Sequence, residues 1–325
     1  MVVCVTGAGG YIGSVAVKRL LLEGHEVIAM DDLSRGHHDA IDQRATFVKA
    51  STLDQKSLME MFKTYNVDAV MHFAAYSLVG ESVDAPLTYY HNNVEGTRTL
   101  LEAMHSANIK KMVFSSSAAV YGDASNQPIA EDAPLNPTSP YGETKRVVEG
   151  MLAHASKAHA FAYVSLRYFN VAGASKDLSV GERHDPETHL IPNVIKSIVE
   201  KTPLHVFGTD YNTPDGSAIR DYIDVEDLID AHIKALNYLL EGNGSEVFNL
   251  GTAKGASVLE VVKACEGVSG ETVLVKKSPR RQGDPTILVA AYDKAKAQLN
   301  WTPTTSLETM IERAYQFYLK KVAMV

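Results

Sequence analysis

The chain has 325 residues, 45% hydrophobic and 22% charged, which suits one large or two smaller globular domains with a real core. Its formal net charge is −8 and no run of Lys or Arg stands out, which argues against a nucleic-acid partner. Cys4 and Cys265 are too few for a disulfide framework and stand in no metal-ligand spacing, so no metal is expected, and no apolar run nears the ~20 residues of a membrane span.

The chain enters MVVCVTG at once, without a basic stretch or a small-residue cleavage site, so a cytoplasmic location is expected. VVCVT (2–6) reads as a buried strand, with Cys4 packed as a small hydrophobe. YIGSVAVKRLLLEG (11–24) reads as a helix that stops at Gly24. EVIAMD (26–31), ATFVKA (45–50), DAVMHFAA (68–75), KKMVFSSS (110–117) and FAYVSLRY (161–168) read as further strands, with helices over 54–65, 86–107 and 140–158. This alternation predicts an α/β fold, a Rossmann-type doubly wound parallel sheet with helices on both faces. Beyond residue 170, loops at 172–189, 208–217 and 279–286 break the pattern. Helices near 190–200, 225–240, 257–266 and 305–322 and a strand near 204–207 remain. The expected division is a first domain over 1–170, to which about 218–250 returns, and a smaller C-terminal α/β domain from 171–217 and 251–325.

TGAGGYIG (6–13) follows the first strand and opens the first helix. Gly7, Gly10 and Gly13 allow a tight turn and a close approach of backbone to a pyrophosphate, whose charge the free N–H groups of a helix start would bind. A tight strand–helix turn alone would also use glycines. Asp31, however, ends the second strand about 20 residues on, where a carboxylate accepts ribose hydroxyls. It would repel a 2′-phosphate, which favours NAD over NADP, although Arg35 nearby pulls the other way.

SPYGETK (139–145) places Ser139 as an N-cap and Pro140 in the first turn, so Tyr141 and Lys145 share one helix face. A surface helix could carry the same pair. A free tyrosine titrates near ~10, and lowering that by about three units takes roughly 4 kcal/mol. An ammonium one turn away and a cationic nicotinamide could supply it. Ser117, in SSSAAVYG (115–122) at the end of a predicted strand, would orient a substrate hydroxyl.

TGAGGYIG, SSSAAVYG and SPYGETK together resemble the extended short-chain dehydrogenase/reductase superfamily, and within it the UDP-glucose 4-epimerase family. The resemblance runs end to end through DDLSRG (31–36), FAAYSLVGESV (73–83), YYHNNVEGT (89–97), LRYFNVAGA (166–174), IRDYIDVEDL (219–228), FNLGT (248–252) and RRQGDP (280–285). It implies inversion of a UDP-hexose at C4 with bound NAD: Tyr141 as base, Lys145 beside it, Ser117 on the sugar oxygen. It implies that Tyr11 and Ile12 lie under the pyrophosphate. Asp31, Asp32, Leu33, Ser34, Arg35, Gly36, Ser51, Thr52, Phe73, Ala74, Ala75, Ser77, Asn92 and Ser115 would contact the cofactor, with Tyr168 and Phe169 along the nicotinamide. Asn170, His189, Leu190, His205, Phe207, Arg220, Arg281, Asp284 and Leu288 would meet the UDP-sugar, the arginines gripping its diphosphate.

Four positions depart from the family's best-known pattern. Ser51 stands for an aspartate, Ser77 for a lysine, His189 for an asparagine and Leu288 for a tyrosine that walls the sugar pocket. The smaller leucine is expected to admit N-acetylated UDP-sugars. A 4,6-dehydratase would need an acidic pair where Ala118 and Ala119 stand. A UDP-N-acetylglucosamine or UDP-glucuronate 4-epimerase is a further alternative, and a non-catalytic dinucleotide sensor would be expected to lose Tyr141, Lys145 or Ser117. The helices over 86–107 and 140–158 resemble those that pair in a family homodimer, though their apolar stripes equally suit an internal core.

Overall fold

The computed structural model describes residues 1–124, 126–281 and 284–323. The first half gives strands β1 (Val2–Thr6), β2 (Glu26–Asp31), β3 (Thr46–Lys49), β4 (Ala69–His72), β5 (Lys111–Ser117) and β6 (Ala162–Tyr168). Its helices are α1 (Tyr11–Leu22), α2 (Gln55–Tyr65), α3 (Val79–Asp84), α4 (Pro86–Tyr89), α5 (Gly96–Ser106) and α6 (Pro140–His159). The second half gives β7 (Asn170–Ala172), α7 (Leu190–Glu200), β8 (Leu204–Phe207), β9 (Ile219–Asp224), α8 (Val225–Leu240), β10 (Glu246–Leu250) and β11 (Gly255–Ser257). It ends with α9 (Val258–Ser269), β12 (Val275–Ser278), β13 (Ile287–Leu288), α10 (Asp293–Leu299) and α11 (Leu307–Val322).

The large sheet runs β3-β2-β1-β4-β5-β6-β10 with every pair parallel. Cys4 sits opposite Ile28 on one side and Val70 on the other. A parallel strand covered on both faces needs apolar side chains pointing both ways, which is why VVCVT and AVMH are nearly unbroken apolar runs. Val15 and Leu20 of α1 and Leu228 and Leu236 of α8 cover one face. Leu58 and Phe62 of α2, Leu100 of α5 and Val148 of α6 cover the other. The smaller region is built on β9, which pairs with β7 and β13 in parallel and with β11 antiparallel. Ile195, Val261 and Met310 join α7, α9 and α11 beside it. Cys4 and Cys265 are both free and buried, and burial pushes each thiol up to about 12.

The single helix expected over 86–107 is interrupted. The chain makes α4, then π-helical turns over Tyr90–Glu95, then α5. The widened turns leave Asn93 free to bind sideways. Its side chain accepts from the Tyr76 N–H (2.8 Å) and donates to the Tyr76 carbonyl (3.0 Å) and Thr144 Oγ1 (3.2 Å). The six-residue α3 and seven-residue α10 were not expected, being too short for a helical period to show.

Two buried histidines make the fold sensitive to acid. His72 lies between Thr6 Oγ1 (2.7 Å) and Thr97 Oγ1 (2.9 Å), and burial pushes its pKa down to about 3. His232 on α8 is pushed down to about 4 for the same reason. Both are neutral when folded but titrate near ~6.5 when unfolded. The unfolded chain therefore binds more protons below about pH 6.5, and stability falls as pH drops through that window. Denaturant titrations between about pH 7 and pH 5 should show a loss of up to ~1.4 kcal/mol per pH unit for each histidine. His72→Gln should make that dependence shallower; an unchanged slope would acquit His72.

Candidate active site

The glycine loop leaves β1 where the strand order reverses, with β2 on one side and β4 on the other. Ligands of doubly wound sheets gather at such a point, beyond the carboxyl ends of the strands. A cleft of about 470 Å³ opens there. Gly7 has φ +71°, and a Cβ on it would lie 2.6 Å from the Ala74 nitrogen, so only glycine lets the loop pass beneath Phe73–Ala75. Gly13, in α1 beside Ile12, packs against the Gly7 carbonyl and brings the helix start up to the loop. Gly10 provides no side-chain cap, so the first-turn N–H groups are left for an anion.

Asp31 ends β2 and is held at the cleft by two backbone N–H donors, Gly9 at 2.9 Å and Leu33 at 2.8 Å. Burial pushes its pKa up and those donors pull it back. Arg35 is engaged with Glu81 (2.5 Å) and lies 4.9 Å from the Tyr76 ring, so it is not held free for a 2′-phosphate. Asp32, Leu33, Ser34 and Gly36 line the cleft with Ser51 and Thr52, and Ala74, Ala75, Ser77 and Asn92 line it with Phe73. The uncapped helix start, the glycine floor and the buried carboxylate fit a dinucleotide. The segment 181–186, with Arg183 and His184, also lines this cleft, and nothing in the sequence reading pointed to it.

A second group of residues meets at the carboxyl end of β5. Ser139 caps α6 by accepting from the Gly142 N–H (3.2 Å), with Pro140 in the first turn. A Cβ on Gly142 would collide with the Ala119 carbonyl, so this glycine lets α6 touch the turn after β5 and sets Tyr141 beside Ser117. Lys145 donates from Nζ to the Ser115 carbonyl (2.7 Å), and the Ser115 hydroxyl contacts the Tyr168 hydroxyl. The lysine nitrogen lies 5.9 Å from the Tyr141 ring centre.

The electrostatics of this group differ from the sequence expectation. Burial pushes the Tyr141 pKa up, and only the Ser117 hydroxyl pulls it back. Burial also brings Lys145 down to about 7, against an upward pull from Glu149. Before a ligand binds, burial thus weighs against the charged form of both side chains. A cationic ligand beside the phenol would draw its pKa down. Behind the pair lies a buried network that sequence reasoning missed. Arg167 grips Glu149 through Nη2–Oε2 (2.6 Å) and Nε–Oε1 (2.9 Å), Ser116 donates to Glu149 (2.6 Å), and Arg167 also donates to Tyr121 (2.8 Å). The one available signal was Glu149 itself, one turn beyond Lys145 on the same face.

A third group belongs to the smaller region. Arg220 of β9 is paired with Asp284, and Leu288 of β13 stands opposite Arg220 in register. The Arg281 guanidinium lies 4.2 Å from the Phe207 ring, and His205 lies 6.3 Å from the same ring. Gln282 and Gly283 of RRQGDP lie outside the described residues. Leu288 and Phe169 pack with Ala118 and Tyr121, which joins this region to the turn after β5. Asn170 opens β7 opposite Tyr222, while His189 and Leu190 stand at the start of α7.

The strand order, the glycine floor and the carboxylate at the end of β2 define a dinucleotide-binding protein of the Rossmann class. The chain belongs to the NAD dependent epimerase/dehydratase family, whose model matches residues 3–251. It is 50% identical over 320 residues to the UDP-glucose 4-epimerase of Lactobacillus helveticus, covering 98% of this chain and 97% of that one. The crystal structure of UDP-glucose 4-epimerase from Brucella ovis in complex with NAD superposes with a TM-score of 0.95 at 43% identity, over 98% of each chain. That of the Bifidobacterium longum enzyme in complex with NAD+ and UDP gives 0.95 at 35% identity, over 99% of each. Among the described residues, no helix is long and apolar enough to cross a membrane.

Proposed function

We propose that the chain interconverts UDP-glucose and UDP-galactose by reversible inversion at C4, through a transient 4-keto sugar and with tightly held NAD. The observation that carries this reading is the meeting of Ser117, Tyr141 and Lys145 at the carboxyl end of β5, beside a cleft with the features of a dinucleotide site. NAD, when bound, supplies the hydride acceptor and donor. Tyr141 takes the proton of the sugar 4-hydroxyl and later returns it, and Ser117 holds that oxygen by a hydrogen bond. Lys145 holds the nicotinamide ribose and adds positive charge beside the phenol. Ser115, Tyr168 and Phe169 bound the nicotinamide end. Ala118 and Ala119 offer no acid to expel a hydroxyl, which argues against elimination.

The large sheet is the NAD-binding part and the β9 region the UDP-sugar part. The loop N–H groups hold the pyrophosphate and Asp31 the adenosine ribose. Arg220 and Arg281 meet the sugar diphosphate, with Asp284 on the uridine ribose, and Asn170, Leu190, His205 and Phe207 lie along the UDP-sugar. Leu288 leaves room for N-acetylated UDP-hexoses, and Leu288→Tyr should then lower activity on UDP-N-acetylglucosamine more than on UDP-glucose. The outer faces of α5 and α6, with an apolar groove holding Leu101, Met151 and Phe161, support a homodimer through these helices.

Asp31→Ala should weaken NAD retention by ~10–100-fold, the size of a lost charged hydrogen bond, and leave UDP-sugar affinity little changed. NAD content after gel filtration reads this, and undiminished content would take Asp31 out of the cofactor site. The reading as a whole is tested by incubating the purified protein with UDP-galactose and no redox partner, following the sugar anomeric signals by NMR. UDP-glucose should appear without net NADH. No change, even with added NAD, would remove the substrate assignment.

A further inference from the structure

The segment GERHDPETH (181–189) borders the nucleotide cleft. Arg183 is tied to Asp39 by two hydrogen bonds (2.8 and 3.0 Å), and its carbonyl lies 3.0 Å from His37 Nε2. The residues on either side of Arg183 serve neither contact. Glu182, His184, Glu187 and His189 each present one nitrogen or oxygen so that all four atoms lie within 4.8 Å of one another. The Glu182 side chain is only 7% exposed. Its Oε1 lies 2.9 Å from His184 Nδ1 and 2.5 Å from His189 Nδ1, which is itself 3.4 Å from Glu187 Oε1. Yet His189 Nδ1 is shut off from solvent and forms no hydrogen bond. It lies beside the carboxylate oxygen and is not aligned with it as donor to acceptor.

We propose that Glu182, His184, Glu187 and His189 bind one divalent transition-metal ion, zinc being the best match. Two imidazole nitrogens and two carboxylate oxygens make a four-ligand set suited to tetrahedral zinc at ~2.0–2.2 Å. Magnesium and calcium prefer oxygen ligands alone, so the two histidines select against them. Ligand atoms around such an ion stand roughly 3.3–3.5 Å apart, as tetrahedral geometry at those bond lengths requires. The separations here bracket that spacing, so small side-chain rotations close the site. All four ligands come from one E-x-H-x-x-E-x-H run, which contains no cysteine and so escaped a search built on cysteine spacing. An ion there takes no part in the hydride chemistry. It ties down both neighbours of Arg183 and so fixes the segment that borders the cleft.

The test uses the NAD-loaded protein, stripped with a chelator and titrated with zinc chloride alone by calorimetry, with metal content measured after desalting. One equivalent per chain with sub-micromolar affinity is expected. His184→Asn and Glu187→Gln, each checked for folding by circular dichroism and for NAD content, should weaken that affinity by at least about tenfold. Cobalt in place of zinc should give the visible d–d bands of a four- or five-coordinate site in the wild type and weaker bands in the variants. No stoichiometric zinc uptake by the wild type would overturn the site and leave an ion-free carboxylate–imidazole network. Uptake unchanged in both variants would overturn it too. Zinc uptake is read without turnover, so either failure leaves the epimerase reading untouched.

Discussion

Tyr141→Phe is expected to lower kcat by about 10²–10⁴-fold, the usual contribution of a positioned general base, while the fold and the bound NAD survive. The ring is buried and stays so in the variant, and only the hydroxyl leaves. The start of α6 is held by other groups: the Ser139 cap, and Thr144 Oγ1 bonded to the Tyr141 carbonyl at 2.7 Å. Nothing in that scaffold depends on the phenol oxygen. The change should fall on kcat more than on KM, because the proton moves only in the chemical step. Steady-state rates together with NAD content give the answer, and near-normal turnover would reject Tyr141 as the base.

Glu149→Ala should be the most damaging single change to stability in this region, costing about 3–5 kcal/mol. Glu149 and Arg167 are both almost fully buried and joined by three hydrogen bonds. Removing the carboxylate leaves a guanidinium without its counter-charge and strands the Ser116 hydroxyl. A second effect separates this network from an ordinary core pair. Glu149 raises the Lys145 pKa, so its loss should drop that pKa below about 7. Activity that needs the ammonium then falls earlier on the alkaline side, and the pH–rate profile shifts toward acid. Denaturant midpoints and that profile are the two readings. A loss below ~1 kcal/mol, the range of solvated surface pairs, would mean that the pair is not desolvated.

The parts of this account legible in the sequence share one property: their signals are local. VVCVT followed by TGAGGYIG encodes strand, turn and helix within a dozen residues, and Asp31 then follows at the end of the next strand. SPYGETK carries its own cap, its own proline and the Tyr–Lys spacing. What escaped was set by long-range contact. Glu149 meets Arg167 from β6, Asn93 reaches Tyr76 and Thr144 from π-helical turns, and Arg220 waits on Asp284 from a later loop. No period or spacing marks such pairs. The direction of the Tyr141 and Lys145 shifts was not legible for a related reason. Spacing shows that two groups share a helix face, but the direction of a pKa depends on how much water the whole fold removes, and here burial outweighs the neighbour.

In the proposed reaction, hydride leaves C4 and returns to C4 on one resident cofactor. UDP-galactose carrying deuterium at C4, incubated in ordinary water with the purified protein and no added NAD, tests it most directly. The predicted result is UDP-glucose that keeps its deuterium at C4. A product carrying a solvent proton at C4 would contradict it, because the hydrogen would then have left as a proton and not as hydride.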